Sequence, residues 1–236
     1  MWESRLGGKP LQFHLAGINN QNFLMKDERT GSWWQQVSGK AILGSLKGEQ
    51  LTAVLHDEVT FATWKREHPE TRVLAPDAEF AAHYEPNWEE EVARLPLATP
   101  RPATDPLRSR DLVVGVVGPD GSSRAYPLAL LADGVPLNDD LGGQAILIVP
   151  FEGAKSIRVF DRGVGGRNLE FFAGTGKDAD SLVDAATGTI WDDAGRALTG
   201  PLAGTRLARR AGLIDYWFDW KNYHPDTDVY RAGLRR

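Results

Sequence analysis

The side chains in this sequence that could do chemistry are few and widely spaced. None of the five histidines falls in an HxH, HxxxH or HExxH spacing, and a tetrahedral metal site needs three or four ligands held together. Cysteine is absent, which removes thiolate ligands, disulfides and cysteine nucleophiles at once. His68 and His224 share one setting, each preceding a proline after an aromatic run. It suits a matched acid–base or metal pair or, more simply, two residues that cap the last carbonyls of a helix. Asp27 and Asp184, each three residues ahead of Thr-Gly, could act with Asp192 or Asp193 as acid and base, but an aspartate that closes its own turn needs no such partner. Asn138, Asp139 and Asp140 are the densest polar cluster in a turn, yet they lack the regularly spaced oxygens and bidentate glutamate of a calcium loop. Gly174 and Gly176 lack the third glycine of a dinucleotide loop, and neither a Walker loop nor G-x-S-x-G occurs. No catalytic residue, metal ligand or cofactor is assigned.

Tryptophan is the abundant functional group, with eight copies. Trp34 and Trp191, like Trp64 and Trp220, recur at matching places, as a core layer would. In an alternating strand Trp33 faces away from Trp34, so Trp33 is the indole expected at a binding surface. Trp33, Tyr126, Asn138 and Asp139 are the candidate ligand-binding set.

The elements that must position these residues occur twice. Asp27, Thr30, Gly31 and Trp34 match Asp184, Thr187, Gly188 and Trp191 at a separation of 157 residues. Gly39, Ala41, Gly44, Leu46, Gly48 and Leu51 match Gly195, Ala197, Gly200, Leu202, Gly204 and Leu207 at 156. Trp64, Lys65, His68, Pro69, Thr71 and Val73 have partners at that same separation. A fixed separation held over so long a stretch implies a duplicated structural unit.

Within each unit, Leu11, Phe13 and Leu15 alternate with Gln12 and His14 as in a half-buried strand, which turns His14 outward. Asp27 to Gly31 reads as a turn with Gly31 at positive φ. Glycines at 39, 44 and 48 suit short antiparallel strands, because a helix interior loses about 1 kcal/mol per glycine relative to alanine. Thr60 is placed to cap a helix carrying Phe61, Trp64 and Lys65, which Pro69 ends. Residues 76–110 are proline-rich and acidic, the composition of an extended linker. Residues 1–75 therefore form the first unit and 111–236 the second, fuller one, in which Ala145 to Val149 is the most apolar strand. The fold class is mainly β with a few short helices, built from two related antiparallel units.

At 236 residues, 42% hydrophobic and 25% charged, the chain has an ordinary globular composition. Its net charge of -5, with lysine and arginine scattered, argues against nucleic acid as a partner. No apolar run is long enough to span a bilayer.

Ala125-Tyr-Pro-Leu128, Asn138-Asp139 before Gly142-Gly143, Asp-x-x-Thr-Gly-Ser-x-Trp and Trp-Lys-x-x-His-Pro-x-Thr together resemble the bacterial family called domain of unknown function 3179. The first unit is the closer match, through Asp27, Thr30, Ser32, Trp34, Gln36, Gly39, Gly44, Gly48, Trp64, His68 and Pro69. The family's name carries no activity, and the resemblance implies exported, envelope-associated proteins. Two features depart from the pattern. Val149-Pro150-Phe151-Glu152 stands where members look to have a Cys-Pro stretch, and Asp133-Gly134 where a His-Glu pair commonly precedes Asn-Asp. The resemblance also implies that an N-terminal part of the family pattern, with a signal peptide, belongs upstream of Met1, and hence a periplasmic or extracellular location.

The function expected is a non-enzymatic binding or scaffolding module of the cell envelope, with a small molecule or a protein as partner. The rival is a hydrolase with its site between the two units, near Tyr126, Asn138 and Asp139. A cleft holding convergent polar groups with a shifted pKa would favour the enzyme; a shallow aromatic or apolar surface would favour the binding module.

Overall fold

The structure, a computed structural model, describes residues 1–176 and 181–232. It is β-rich, with several antiparallel sheets and few short helices. A small ladder, β1 (Arg5–Leu6) with β2 (Lys9–Pro10), leads into β3 (Phe13–Asn19), β4 (Asn22–Asp27), β5 (Trp33–Gln35) and β6 (Ala41–Leu43), which pair antiparallel in chain order. Trp34 is wholly buried beneath this sheet with Leu11, Ala41 and Leu51, and Phe13 meets its ring edge-on at 5.9 Å. His14 is exposed, as alternation requires. Leu15 is not half-buried as alternation alone predicts but 61% exposed. A register shift between Leu15 and Gly17 inserts an extra residue into β3, and a bulge of this kind switches the neighbouring side chains to the opposite face.

Helix α1 (Phe61–Glu67) starts where Thr60 accepts a hydrogen bond from the Thr63 N–H at 3.2 Å, and it ends before Pro69. The proline-rich segment is not purely extended. Asp77 caps a 3₁₀ turn over Ala78–His83, and α2 (Trp88–Arg94) comes after it, with Arg94 paired to Glu90 and Glu91.

The remaining chain supplies β7 (Leu112–Val117), β8 (Ser123–Pro127), β9 (Leu137–Leu141), β10 (Gln144–Phe151), β11 (Ser156–Asp161), a ladder of β12 (Gly163–Val164) with β13 (Arg167–Asn168), β14 (Phe171–Ala173), β15 (Leu182–Asp184), β16 (Ile190–Trp191), β17 (Ala197–Thr199), β18 (Ala208–Arg210), β19 (Leu213–Tyr216), α3 (Trp217–Tyr223) and β20 (Asp228–Val229). Strands β14 to β17 pair in chain order, whereas the other two sheets run β18-β11-β10-β9 and β19-β7-β8-β20, with β20 parallel to β8. Strand β10 is apolar from Ala145 to Phe151 because both of its faces are covered. Ile146 and Ile148 join Val114, Val116 and Tyr126 on one side, and Leu147 and Val149 join Phe160, Phe171 and Trp191 on the other.

Two polar networks match bond for bond. Asp27 accepts from the Thr30 N–H at 2.6 Å and the Trp34 indole at 2.9 Å; Asp184 accepts from the Thr187 N–H at 2.7 Å and the Trp191 indole at 3.0 Å. Ser32 Oγ accepts from Leu46 N–H, as Thr189 Oγ1 does from Leu202 N–H. Gly44 and Gly200, at φ +97° and +108°, pass so close to Ser32 and Thr189 that a Cβ would clash, so at both places the turn needs glycine. Asp27 and Asp184 are thus turn formers held within their own loops.

The two helices differ in what covers them. Trp217 and Trp220 of α3 are buried against Val113, Ala125 and the α-carbon of Gly115. On α1 the corresponding Phe61 and Trp64 are 58% and 44% exposed. Core packing, expected for Trp64 as for Trp220, therefore holds only for Trp220, because among the described residues no sheet lies over that face of α1. His68 and His224 stack their rings on Trp64 and Trp220, at 4.1 and 3.8 Å between centroids. Stacking, rather than the capping of carbonyls, is the role of these side chains.

Candidate functional site

Strand β19 runs directly into α3, and this junction sets two acids four residues apart against each other. Asp215, on the strand, accepts from the Tyr216 N–H at 2.7 Å, while Asp219, in the first turn of the helix, accepts from Asn22 Nδ2 of β4 at 2.6 Å. The two acids line one cleft wall, and carboxyls so near each other disfavour ionising together. Burial first, then the charge of Asp219, pushes Asp215 up to about 8, and burial raises Asp219 as well. Behind them Glu58 accepts from the Ile214 N–H at 2.8 Å, and burial raises its carboxyl too. Burial, followed by the charge of Asp219, raises the Tyr223 phenol at the far end of α3.

Asp215 and Asp219 lie on the wall of a cleft of about 1060 Å³. Phe13 and Met25 of the N-terminal sheet line it with Trp2 and Leu51; Val117 and Trp220 line it from the other side. Trp2 is fixed by an indole hydrogen bond of 2.6 Å to the Gln36 carbonyl. The wall's two arginines are each paired with an acid, Arg210 with Asp161 and Arg209 with Asp57, which Arg158 also contacts. The N-terminal amine and His56 contact each other at 3.4 Å. The site is thus an apolar trough with one carboxyl pair whose hydrogen-bond donors, Asn22 and the Tyr216 N–H, are neutral.

The residues singled out from sequence lie elsewhere. Tyr126 is wholly buried and donates to Asp139 Oδ2 at 2.8 Å, an oxygen that also accepts from Arg124 at 2.6 Å. Burial, then Asp139, raises the Tyr126 phenol far above its usual range. Asn138 mimics a backbone partner for Phe171, accepting from its N–H at 2.9 Å and donating to its carbonyl at 2.8 Å, which ties β9 to β14. Trp33 is half-buried on β5, beside Gly17. Tyr126 and Asp139 are brought together, Trp33 stands apart, and none of the four lines the cleft. Asp192 accepts from N–H groups of its own turn and Asp193 binds Arg158, so neither pairs with Asp27 or Asp184.

The signal for the cleft pair is in the sequence: two aspartates at i and i+4 flanking Tyr216-Trp217-Phe218. Sequence reasoning does not single it out, because the pair matches no known catalytic or metal-binding spacing. Among the described residues no group of three metal-ligating side chains is placed to hold a metal ion, and no helix is long and apolar enough to cross a membrane.

Residues 1–227 match the family model described as Protein of unknown function (DUF3179). The chain belongs to the DUF3179 family. No curated protein and no solved structure matches it. The DUF3179 match spans both walls of the cleft, from Trp2 to Trp220.

Proposed function

We propose that this DUF3179 chain binds a small organic molecule in the cleft between its N-terminal sheet and the β19–α3 junction, with Asp215 and Asp219 as the polar anchor. The observation that carries this reading is the meeting of two carboxyls on the wall of an apolar cleft large enough for such a ligand. Screening a small-molecule library by native mass spectrometry tests it. Wild-type protein should retain ligands one to one, and Ala53→Trp, which fills the cleft from an exposed position, should lose them. Equal retention by the two proteins would refute the assignment.

The placing of two buried aspartates on one cleft wall favours a second reading, an acid–base hydrolase with its site between the two units. A carboxyl pair holding one proton has an acid and a base in one place. Assays against ester, glycoside and peptide substrates, with Asp215→Asn as control, separate the two; turnover lost in that variant while ligand binding persists would establish the enzyme. A scaffolding role draws support from the exposed Phe61 and Trp64 of α1. Location in a bacterial envelope rests on the family resemblance, and fractionation of cells expressing the native gene tests it.

We also infer that the two Asp-Thr-Trp turns descend from one duplicated unit. Support comes from the fixed separation in sequence and the paired networks of Asp27 and Asp184. Exchanging residues 27–48 for 184–204 should yield a folded protein, and loss of folding in both reciprocal exchanges would count against common descent.

A further inference from the structure

Building on the cleft assignment, we propose that the ligand is a cationic amphiphile, its ammonium group seated at Asp215 and Asp219 and its apolar body laid along Trp2, Phe13, Met25 and Leu51. The polarity comes from a charge inventory of the wall. Arg210 is paired with Asp161 and Arg209 with Asp57, a carboxylate that Arg158 shares, while His56 Nδ1 lies 3.1 Å from the Val54 carbonyl. Among the described residues, the outside donors to Asp215 and Asp219 are the Tyr216 N–H and Asn22, both neutral. Glu58 stands behind β19 and adds negative potential to the same place. A carboxyl pair so placed repels an anion and leaves its charge unanswered by a neutral head.

An ammonium group brings three donors and a full charge to acceptors that are half satisfied. Indole and phenyl faces add to that preference, since their quadrupoles attract cations. The rest of the trough is aliphatic or aromatic and gains by covering a hydrocarbon tail.

Isothermal titration of the full chain at pH 7 with dodecylammonium, dodecanol and dodecanoate, each below its micellar concentration, tests the assignment. Dodecylammonium should bind one to one and at least about tenfold more tightly than dodecanol, as a charge-assisted hydrogen bond warrants, with dodecanoate weakest. Asp215→Asn/Asp219→Asn, which keeps the side-chain shapes, should bind dodecylammonium and dodecanol alike, and its melting curve checks that it folds. Dodecanol or dodecanoate binding as tightly as dodecylammonium to wild type would overturn the ligand class and leave the cleft standing. If none of the three binds, or if Ala53→Trp binds them as wild type does, the cleft assignment itself falls and this inference with it.

Discussion

The indole of Trp220 fills the space that a side chain on Gly115 would need: a Cβ there would stand 2.3 Å from the ring. This contact locks α3 onto β7 and so fixes Asp219, the neighbouring residue, on the wall of the cleft. Trp220→Ala should cost about 3–5 kcal/mol, and Gly115→Ala about 1–3 kcal/mol through overpacking. Trp64→Ala, at the matching place on exposed α1, should cost less than about 1 kcal/mol. Urea denaturation of the three variants measures the contrast, and equal losses at Trp64 and Trp220 would contradict the difference in burial.

Acid should unfold the protein through Asp27 and Asp184. Burial pushes both carboxyls up, but hydrogen bonds from Trp34, Thr30 and Ser32, and from their counterparts Trp191, Thr187 and Thr189, outweigh it and hold both below the usual carboxylate range. A depressed value in the folded state means that the unfolded chain binds more protons. The contribution is then complete above about pH 4 and is lost as pH falls through the folded values. Thermal melts from pH 7 to pH 2 should show this loss, and Asp27→Asn should remove part of the slope.

Asp215 acts with the opposite sign. Burial and the charge of Asp219 push it up to about 8, so between about pH 4 and about pH 8 the folded state holds the extra proton. Its effect is therefore a decline in stability as pH rises across that window. Asp215→Asn should flatten the decline and melt higher than wild type at pH 9. A variant that melts lower there would show that the charged form is better accommodated than its surroundings indicate.

Arg158 joins three parts of the chain. Its guanidinium, 4% exposed, donates to Asp57 at 3.0 Å, to Glu67 of α1 at 2.6 Å and to Asp193 at 3.3 Å. Arg158→Met should leave three carboxylates crowded together and cost about 2–3 kcal/mol. That is less than the ~3–5 kcal/mol of a fully buried pair, because these acids are 18–28% exposed. Amide exchange in residues 57–67 should quicken in the variant, reporting the release of α1.

Local features were legible where one short motif sets its own geometry. Asp27-x-x-Thr30-Gly31 closes its turn without help from elsewhere, and Thr60 with Pro69 brackets a helix by local chemistry, a capping hydroxyl at one end and a missing N–H at the other. Features that depend on distant partners were not. Trp64 and Trp220 sit in nearly identical sequence, yet only Trp220 finds a sheet with a glycine to receive it. Leu15 escaped because a bulge is a property of the paired strands. The cleft escaped because Asn22 and Asp219, which meet across it, are 197 positions apart.

The order in which strands pair has a bearing on biosynthesis. Strands β3 to β6 draw only on residues 13–43, so they can assemble before residues 112–229 have been synthesised. The sheet that carries Asp215 cannot: β7 and β8 wait for Leu213–Tyr216, and for β20 at Asp228–Val229 to close the outer edge. Contacts of that span are slow to form, so the nascent protein acquires the N-terminal wall of the trough before its acidic wall.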